Sequence, residues 1–242
     1  MARLKWDKVG ERFWETGVDQ VVLYVGNSAE AWSGITAINE SPSGAEPTKI
    51  YADNIVYGVV MSPEENAVTI EAFQYPELFN RCIGKLQLAR GAYIGQQEHM
   101  PFALCWRSMI GNDLTNKVGY KLHIVPVLYA SSSEDSSSTI NDSPEQKSFS
   151  WSATAMPFKI DEDHNTSSIV LDSRLFNKDG KWNALTAIED LLYGTDKTDA
   201  KMPAMSTILD IIDTADTITD SNGEALLDSS DNVIRSNMFM TA

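Results

Sequence analysis

Three runs between Phe102 and Pro157 decide the fold: FALCWRSMIGND (residues 102–113), GYKLHIVPVLYA (119–130) and SFSWSATAMP (148–157). In each run apolar side chains recur at every second position, as Phe102, Leu104 and Trp106 do in the first. Such a period of two predicts strands with one buried face. Turn residues at 111–113 and 116–119 predict that the first two strands form an antiparallel hairpin. The third strand is expected to pair in the same sheet, whose edges need further partners.

Outside this centre, further strands are predicted at 19–25, 35–38, 67–73 and 168–171, with a turn-rich break at 26–33. The run PELFNRCIG predicts a short helix closed by Gly84. The strongest helix runs from Lys181 to Tyr193, and Gly194 supplies its C-terminal cap. Its apolar face consists of Trp182, Leu185, Ile188, Leu191 and Leu192 at three- and four-residue spacing. The chain is therefore expected to be mainly β with one flanking α-helix.

Composition restricts the classes of function. The 242 residues are 43% hydrophobic and carry a formal net charge of −15, from 34 acidic and 19 basic side chains. A chain of this charge repels phosphates, so tight binding to nucleic acid is excluded, although nucleic acid that only passes by is not. No apolar run approaches about 20 residues, so no membrane span is predicted. Cys82 and Cys105 are expected to be buried free thiols.

Two segments carry apolar residues whose partners the sequence leaves open. Residues 1–17 are polar with isolated aromatics, and they form either a surface arm pinned by those aromatics or an arm that docks onto a neighbouring subunit. Residues 39–65 are interpreted as a long loop that either folds over its own sheet or forms an interface. The candidate contact residues are Trp6, Phe13, Trp14, Ile50, Tyr51, Ile55 and Tyr57.

The C-terminal segment 196–242 differs in composition, with nine acidic residues against three basic ones. Within it DSNGEAL (220–226) is echoed by DSSDNVI (228–234), and Asn222-Gly223 is a strong hairpin signal. This segment is predicted to be small β-structure or an extended arm.

The sequence contains no pattern of residues that indicates catalysis. His99, His123 and His164 are isolated, and none has metal-ligand spacing to another histidine or cysteine. A packed or surface histidine is the expectation for His123. The nucleotide-binding and nucleophile motifs are absent. We therefore expect no enzymatic activity, no metal and no cofactor.

Several longer phrases together carry a resemblance to a known family. They are RLKWDKVGERFWETGVDQVVLY, NESPSGAEPTKIYADNIVY, TIEAFQYPELF, GAYIGQQ, SMIGND followed by GYKLHIV, and NDSPE followed by FSW. In these phrases the chain resembles the major tail protein, or tail tube protein, of long-tailed non-contractile bacteriophages (siphophages). The resemblance covers roughly residues 1–195 in the family's usual order.

The resemblance implies a tail-tube-type β-sandwich or barrel with one flanking α-helix, in which the inner sheets of the subunits join into one continuous barrel. The implied function is structural: stacked hexameric rings conduct viral DNA into the host. The implied partners are the chain's own copies, the tape measure protein, the tail terminator and the distal tail protein, with DNA passing through without specific binding and no membrane. The implied location is the virion tail, and the host cytoplasm during assembly.

On this interpretation residues 1–195 form the tail tube domain, with 1–17 as its arm and 39–65 as its interface loop, and 196–242 form an acidic extension outside the tube. Two other classes stay open. One is a monomeric β-sandwich carbohydrate-binding module or hydrolase, which would have an aromatic cleft and remain monomeric. The other is a different structural subunit, such as a capsid decoration protein or a secretion-tube protein.

Overall fold

The computed structural model describes residues 4–44, 46–62, 64–137, 139, 146–160, 164–178 and 182–216. They form a mainly β fold built on a large antiparallel sheet. The strands are β1 (Phe13–Val25), β2 (Ser28–Ala31), β3 (Ile35–Gly44), β4 (Pro47–Ala52), β5 (Ile55–Met61), β6 (Glu64–Ala72), β7 (Leu86–Ala89), β8 (Ala92–Ile94), β9 (Phe102–Asn112), β10 (Gly119–Ala130), β11 (Phe149–Ala155), β12 (Phe158–Lys159), β13 (Asn165–Thr166) and β14 (Ile169–Asp172). The helices are α1 (Ser173–Lys178), α2 (Trp182–Tyr193) and α3 (Met205–Asp216).

Strand β10 divides the main sheet into two halves. The strand order is β2-β1-β9-β10-β11-β6-β3, and β14 also pairs with β10. The first part of β10 pairs with β14 and its last three residues pair with β11. Between them the ladder is irregular from Val125 to Leu128, around Pro126, which has no N–H to donate. The front half therefore holds β2, β1, β9 and β14, and the back half holds β11, β6 and β3.

The two halves face each other across one apolar core. Trp151 of β11 and Phe102 of β9 are buried in it, together with Trp32 and Phe79. The ring centroids of Trp32 and Phe79 lie 4.6 Å apart, and those of Phe79 and Trp151 lie 5.1 Å apart. The predicted central hairpin, β9–β10, and its partner β11 are confirmed as strands. One buried face, as predicted, holds for β11 but not for β9, because the apolar core covers one face of β9 and the cluster under α2 covers the other.

A second apolar cluster covers the outer face of the front half. Leu185, Ile188 and Leu192 of α2 are fully buried there against the sheet residues Leu122 and Ile124. The predicted helix up to Tyr193 is confirmed, and Gly194 follows it with a φ of 78°, as a C-terminal glycine cap requires. Cys82 and Cys105 are buried free thiols as expected, and burial raises the pKa of each to about 12.

Segment 39–65, predicted to be a loop, is instead strand over most of its described length. Strands β4 and β5 pair with each other and prolong the hairpin that β3 forms with β6. The prolines favoured a loop in the sequence because proline has no N–H to donate to a neighbouring strand. Pro42 and Pro47, however, lie in strands with one side unpaired among the described residues, where a missing N–H is tolerated.

Two N-terminal predictions also change. Strand β1 begins at Phe13 and not at Asp19, so the last part of the expected arm 1–17 pairs with β9. Two register shifts between Thr16 and Val22 interrupt the alternation and hid this part of the strand. The predicted break at 26–33 contains β2, which forms a tight hairpin with β1.

The C-terminal segment contains a helix where small β-structure or an extended arm was expected. Helix α3 places Ile208 at zero exposure in the second cluster, with Met205, Ile211 and Ile212 packed beside it. The apolar residues recur at helical spacing, which the acidic residues between them obscured. The expectation of one flanking helix is therefore wrong. The boundary predicted at residue 195 does not separate two independently packed parts of the described chain, because α2 and α3 belong to the same apolar cluster. Asn222-Gly223 and the repeat around it lie outside the described residues.

The short helix predicted at 76–84 is a 3₁₀ turn, Glu77–Arg81. Among the described helices, none combines the length and the apolar character that crossing a bilayer requires.

Candidate assembly surface

The outer face of the back half is polar and bears no basic side chain. Ser150, Ser152 and Thr154 of β11 are exposed, since they alternate with the buried Trp151 and Ala153. The register sets neighbouring residues of β6 and β3 beside them. This polar face consists of Ser150, Ser152, Thr154, Glu65, Ala67, Thr69, Glu71, Ala37, Asn39, Ser41 and Ser43.

The polar face differs in kind from the opposite side of the molecule. Its side chains are short, and its only charges are the carboxylates of Glu65 and Glu71. Helices α2 and α3 pack on the front half instead. The eleven residues of the face therefore present hydroxyls and negative charge, while Lys159 lies at its rim, in a groove that Glu65 and Thr154 also line.

Strands β4 and β5 form a second unusual feature, a two-stranded ribbon from Pro47 to Met61. Its tip is Asp53-Asn54, with φ angles of 51° and 63°, as the tight primed turn of a hairpin requires. At about 3.3 Å per residue, the ribbon extends roughly 20 Å beyond the main sheet. Tyr57 is 74% exposed and Tyr51 68% exposed.

Both faces of the ribbon bear exposed apolar side chains. Ile50 and Val60 lie on one face, and Val56 and Val59 lie on the other. Tyr57 is the extra residue of an irregularity, because Ile50 pairs with Gly58 while Tyr51 pairs with Val56. An isolated two-stranded ribbon is marginally stable in water, and exposed apolar surface of this kind is typical of protein contacts.

The N-terminal arm, residues 4–12, is fixed to the main sheet at one point. The backbone N–H of Gly10 donates to both carboxylate oxygens of Asp113, at 2.9 and 3.1 Å, and the Asn112 side chain donates to the Gly10 carbonyl at 3.0 Å. Trp6 stands beyond this point and is 75% exposed.

The two other aromatic candidates belong to the chain's own sheet. The Arg174 guanidinium lies 4.7 Å from the ring centre of Phe13. The Trp14 indole lies so close to Gly111 that a Cβ there would be 2.8 Å from its nitrogen. The seven candidate contact residues therefore fall into three places: four on the ribbon, one on the arm and two at the start of β1.

Between β1, β3, β9 and β10 lies a cluster of polar side chains that we call the node: Glu15, Glu40, Ser108 and His123. The His123 ring stacks on Trp106, with centroids 4.9 Å apart and planes 6° apart. Its Nε2 lies 3.0 Å from Ser108 Oγ and its Nδ1 lies 3.3 Å from Glu40 Oε1. Ser108 Oγ in turn lies 2.5 Å from Glu15 Oε1.

Electrostatics hold both carboxyls of the node in the ionised form. The hydrogen bond with His123 lowers the pKa of Glu40 against the opposing effect of burial. Burial raises the pKa of Glu15, but hydrogen bonds from Lys121 and Ser108 outweigh it and leave that pKa below the ordinary value. His123 is thus a packed histidine, as expected. Its partners were not predicted, because they lie on strands far apart in the sequence.

The node has the order of a nucleophile, base and carboxylate, since Ser108 contacts His123 Nε2 and Glu40 contacts His123 Nδ1, but it differs in how the serine is placed. The Ser108 side chain is buried within β9, and its closest oxygen contact is a carboxylate of Glu15. A serine nucleophile instead directs its hydroxyl hydrogen at the histidine that acts as its base. Within the described ranges, no three His, Cys, Asp or Glu side chains form a group that could hold a metal ion.

Comparison of the chain with models of known protein families and with curated proteins finds no match.

Proposed function

We propose that the chain is a structural subunit of a siphophage tail tube, whose stacked hexameric rings conduct viral DNA into the host. The observation that carries this proposal is the polar face. It is a broad strand surface with hydroxyls, two carboxylates and no lysine or arginine among its eleven residues. In a ring of six copies this face lines the channel and repels DNA phosphates, so the DNA slides without binding.

Ring closure has a physical basis in the unpaired edges of the sheet. Among the described residues, β3 ends the strand order on one side and β2 ends it on the other, and β14 pairs with β10 alone. An unpaired edge is a template for another strand, and a barrel that closes between subunits removes it. In the proposed ring, β3 of one copy pairs with an edge strand of the next.

The ribbon supplies the contact between rings. Its apolar residues lie on both faces, so burying them requires a partner surface on each side of the ribbon. Copies of the same chain in the neighbouring ring provide these surfaces. Ile50, Tyr51, Ile55 and Tyr57 carry this contact, and Trp6 of the arm adds to it. The remaining partners in the proposal are the tape measure protein, the tail terminator and the distal tail protein. The proposed location is the virion tail, and the host cytoplasm during assembly.

The carbohydrate-binding alternative has less support. A groove of about 1030 Å³ lies beside the base of the ribbon, and Tyr129 is the one aromatic residue among its described walls. Tyr75, Phe149 and Trp151 line a second cleft, but its volume is only about 140 Å³. Sugar rings bind against aromatic faces, so a cleft with several of them is expected for that function. The proposal therefore includes no catalytic or sugar-binding activity.

Concentrating the purified chain tests the proposal, with sedimentation velocity and negative-stain microscopy as readouts. We expect ring-sized species and hollow tubes. In a reconstruction of those tubes the polar face should line the channel. A chain that stays monomeric at high concentration, even with tape measure protein present, contradicts the proposal, and so does a channel wall of net positive charge.

A further inference from the structure

A second, smaller hairpin lies at the end of the back half opposite to the ribbon. Strands β3 and β6 meet the ribbon at the pair Gly44–Glu64, and their other end is the pair Ile35–Ala72. From that end the chain passes through the 3₁₀ turn into β7 and β8, which form a hairpin over residues 86–94 that we call the small hairpin. At about 3.3 Å per residue, roughly 30 Å of strand separates the two. The ribbon and the small hairpin therefore meet only between two copies of the chain.

The small hairpin exposes apolar side chains to solvent. Among the described strands, β7 and β8 pair only with each other. The Tyr93 hydroxyl donates to Glu77 Oε1 at 2.5 Å, which holds one face of the hairpin against the 3₁₀ turn. Leu86 and Ile94 pair on the other face, and Leu88 beside them is 66% exposed. Apolar surface of this kind is typical of a protein contact.

The charges of the two projecting segments are complementary. Arg90 is the one charged residue of the small hairpin, and it is exposed at the tip. Glu46 and Glu64 are exposed where the ribbon leaves the main sheet. The tip of the ribbon carries Asp53, and the exposed Arg81 lies beside the base of the small hairpin. When the two segments lie antiparallel, each tip thus meets a charge of opposite sign at the base of the other.

The lengths of the two segments match this arrangement. The ribbon extends roughly 20 Å, and the five residues from Leu86 to Arg90 extend roughly 15 Å. The Arg90 side chain spans the remainder, so it reaches the carboxylates at the base of the ribbon when Asp53 lies at the base of the small hairpin. Lys49, the one basic residue of the ribbon, lies between its two acidic ends.

We propose that the small hairpin of one copy packs antiparallel along the ribbon of the next copy, with Arg90 between Glu46 and Glu64. This inference rests on the proposed function, because it names the surface that covers one face of the ribbon in the neighbouring ring. The contact runs head to tail, since each copy offers a ribbon at one end and a small hairpin at the other, and such a contact repeats from ring to ring. The charge pairs at its two ends fix the register, and salt weakens them.

Cysteine cross-linking tests the register. Cys82 and Cys105 are buried, so an added exposed cysteine is the one that reacts. Thr48→Cys and Ala89→Cys chains with different tags are mixed and treated with a short bifunctional maleimide. We expect a mixed cross-linked dimer, and much less of it when Ile55→Cys, near the tip of the ribbon, replaces Thr48→Cys. Equal cross-linking at the two ribbon positions, or none in assembled tubes, overturns the inference.

Charge reversal tests the pairing at the tip of the small hairpin, with sedimentation velocity as the readout and circular dichroism as the check on folding. Arg90→Glu should lower the association constant at low salt by at least about tenfold, because like charges then face each other. Adding Glu46→Arg and Glu64→Arg should restore it. Lys197→Glu makes the same charge change at an exposed position outside both segments and should associate as the native chain does.

The outcomes separate this inference from the proposed function. Tubes that form without a cross-link, or a triple variant no stronger than Arg90→Glu, overturn the inference and leave the tail tube standing. Cross-linked open chains that never close into rings support the inference and contradict the tail tube. A chain that stays monomeric contradicts both.

Discussion

Replacing Ile50, Tyr51, Ile55 and Tyr57 by serine should abolish association and leave a folded monomer. The four side chains are between 47% and 74% exposed in the isolated chain. They therefore contribute little to the subunit's own core, and their removal should leave the buried clusters around Trp151 and Leu185 intact.

The size of the effect follows from the exposed surface. Complete burial of a large apolar side chain is worth about 1.5–3 kcal/mol, and roughly 60% of this surface is still available here, so covering each residue contributes about 1–2 kcal/mol. For four residues the sum is about 4–7 kcal/mol. At about 1.4 kcal/mol per factor of ten, the association constant should fall by roughly 10³- to 10⁵-fold.

Sedimentation velocity measures the association, and circular dichroism with thermal unfolding reports the fold. A matched control replaces Met156 and Leu175 by serine, because these are similarly exposed apolar residues outside the ribbon and the small hairpin. The control should associate as the native chain does. Unimpaired tubes in the ribbon variant would refute the reasoning. Loss of the fold in that variant would show that the ribbon belongs to the subunit's own core.

Three further changes test other parts of the molecule. Replacing Ser150 and Ser152 by lysine should leave the chain folded but make assembled tubes retain DNA at low salt, which co-sedimentation at rising salt measures; no retention contradicts the assignment of the polar face. In denaturant titrations, the Ile208→Ala variant should lower the free energy of unfolding by about 2–4 kcal/mol. The control variant Leu88→Ala, at an exposed position, should change it by less than about 0.5 kcal/mol. Equal changes in the two variants would show that α3 does not pack on the sheet. Burial raises the pKa of the Asp172 carboxyl, but hydrogen bonds from Arg174 outweigh this effect and hold that pKa below its ordinary value of 3.8. The ionised carboxylate therefore stabilises the fold above about pH 4, and this contribution is lost as the pH falls through the folded-state pKa. The Asp172→Asn variant should lose less stability than the native chain between pH 7 and pH 3, and an equal loss would argue against the Asp172–Arg174 pair.

Strand β11 was predictable because its pattern reflects burial on one side. In β11, Trp151 and Ala153 face the core while Ser150 and Ser152 face water, and this difference is visible in the sequence itself. Helix α2 was predictable for the same reason. The ribbon bears apolar residues on both faces, so apolar and polar residues do not alternate along its sequence and its strands were not predicted.

The remaining features depend on contacts that sequence spacing does not encode. Strand β1 is interrupted by register shifts that only its pairing with β9 reveals. In α3, Ile208 is buried by the sheet, although the acidic residues around it are typical of a solvated segment. The node requires Glu15, Glu40, Ser108 and His123 to meet from four strands, and their separations along the chain predict nothing about that meeting.

The ribbon also has a mechanical consequence. A pull on the tip at Asp53-Asn54 passes lengthwise into β3 and β6, because each strand of the ribbon continues into one of them. Strand β6 is held to β11 from Asn66 to Ala72 by bonds that run across the direction of the force. All of those bonds share the load in shear, and they do not open one after another as in a zipper. The ribbon is thus anchored where the sheet resists tension along its strands.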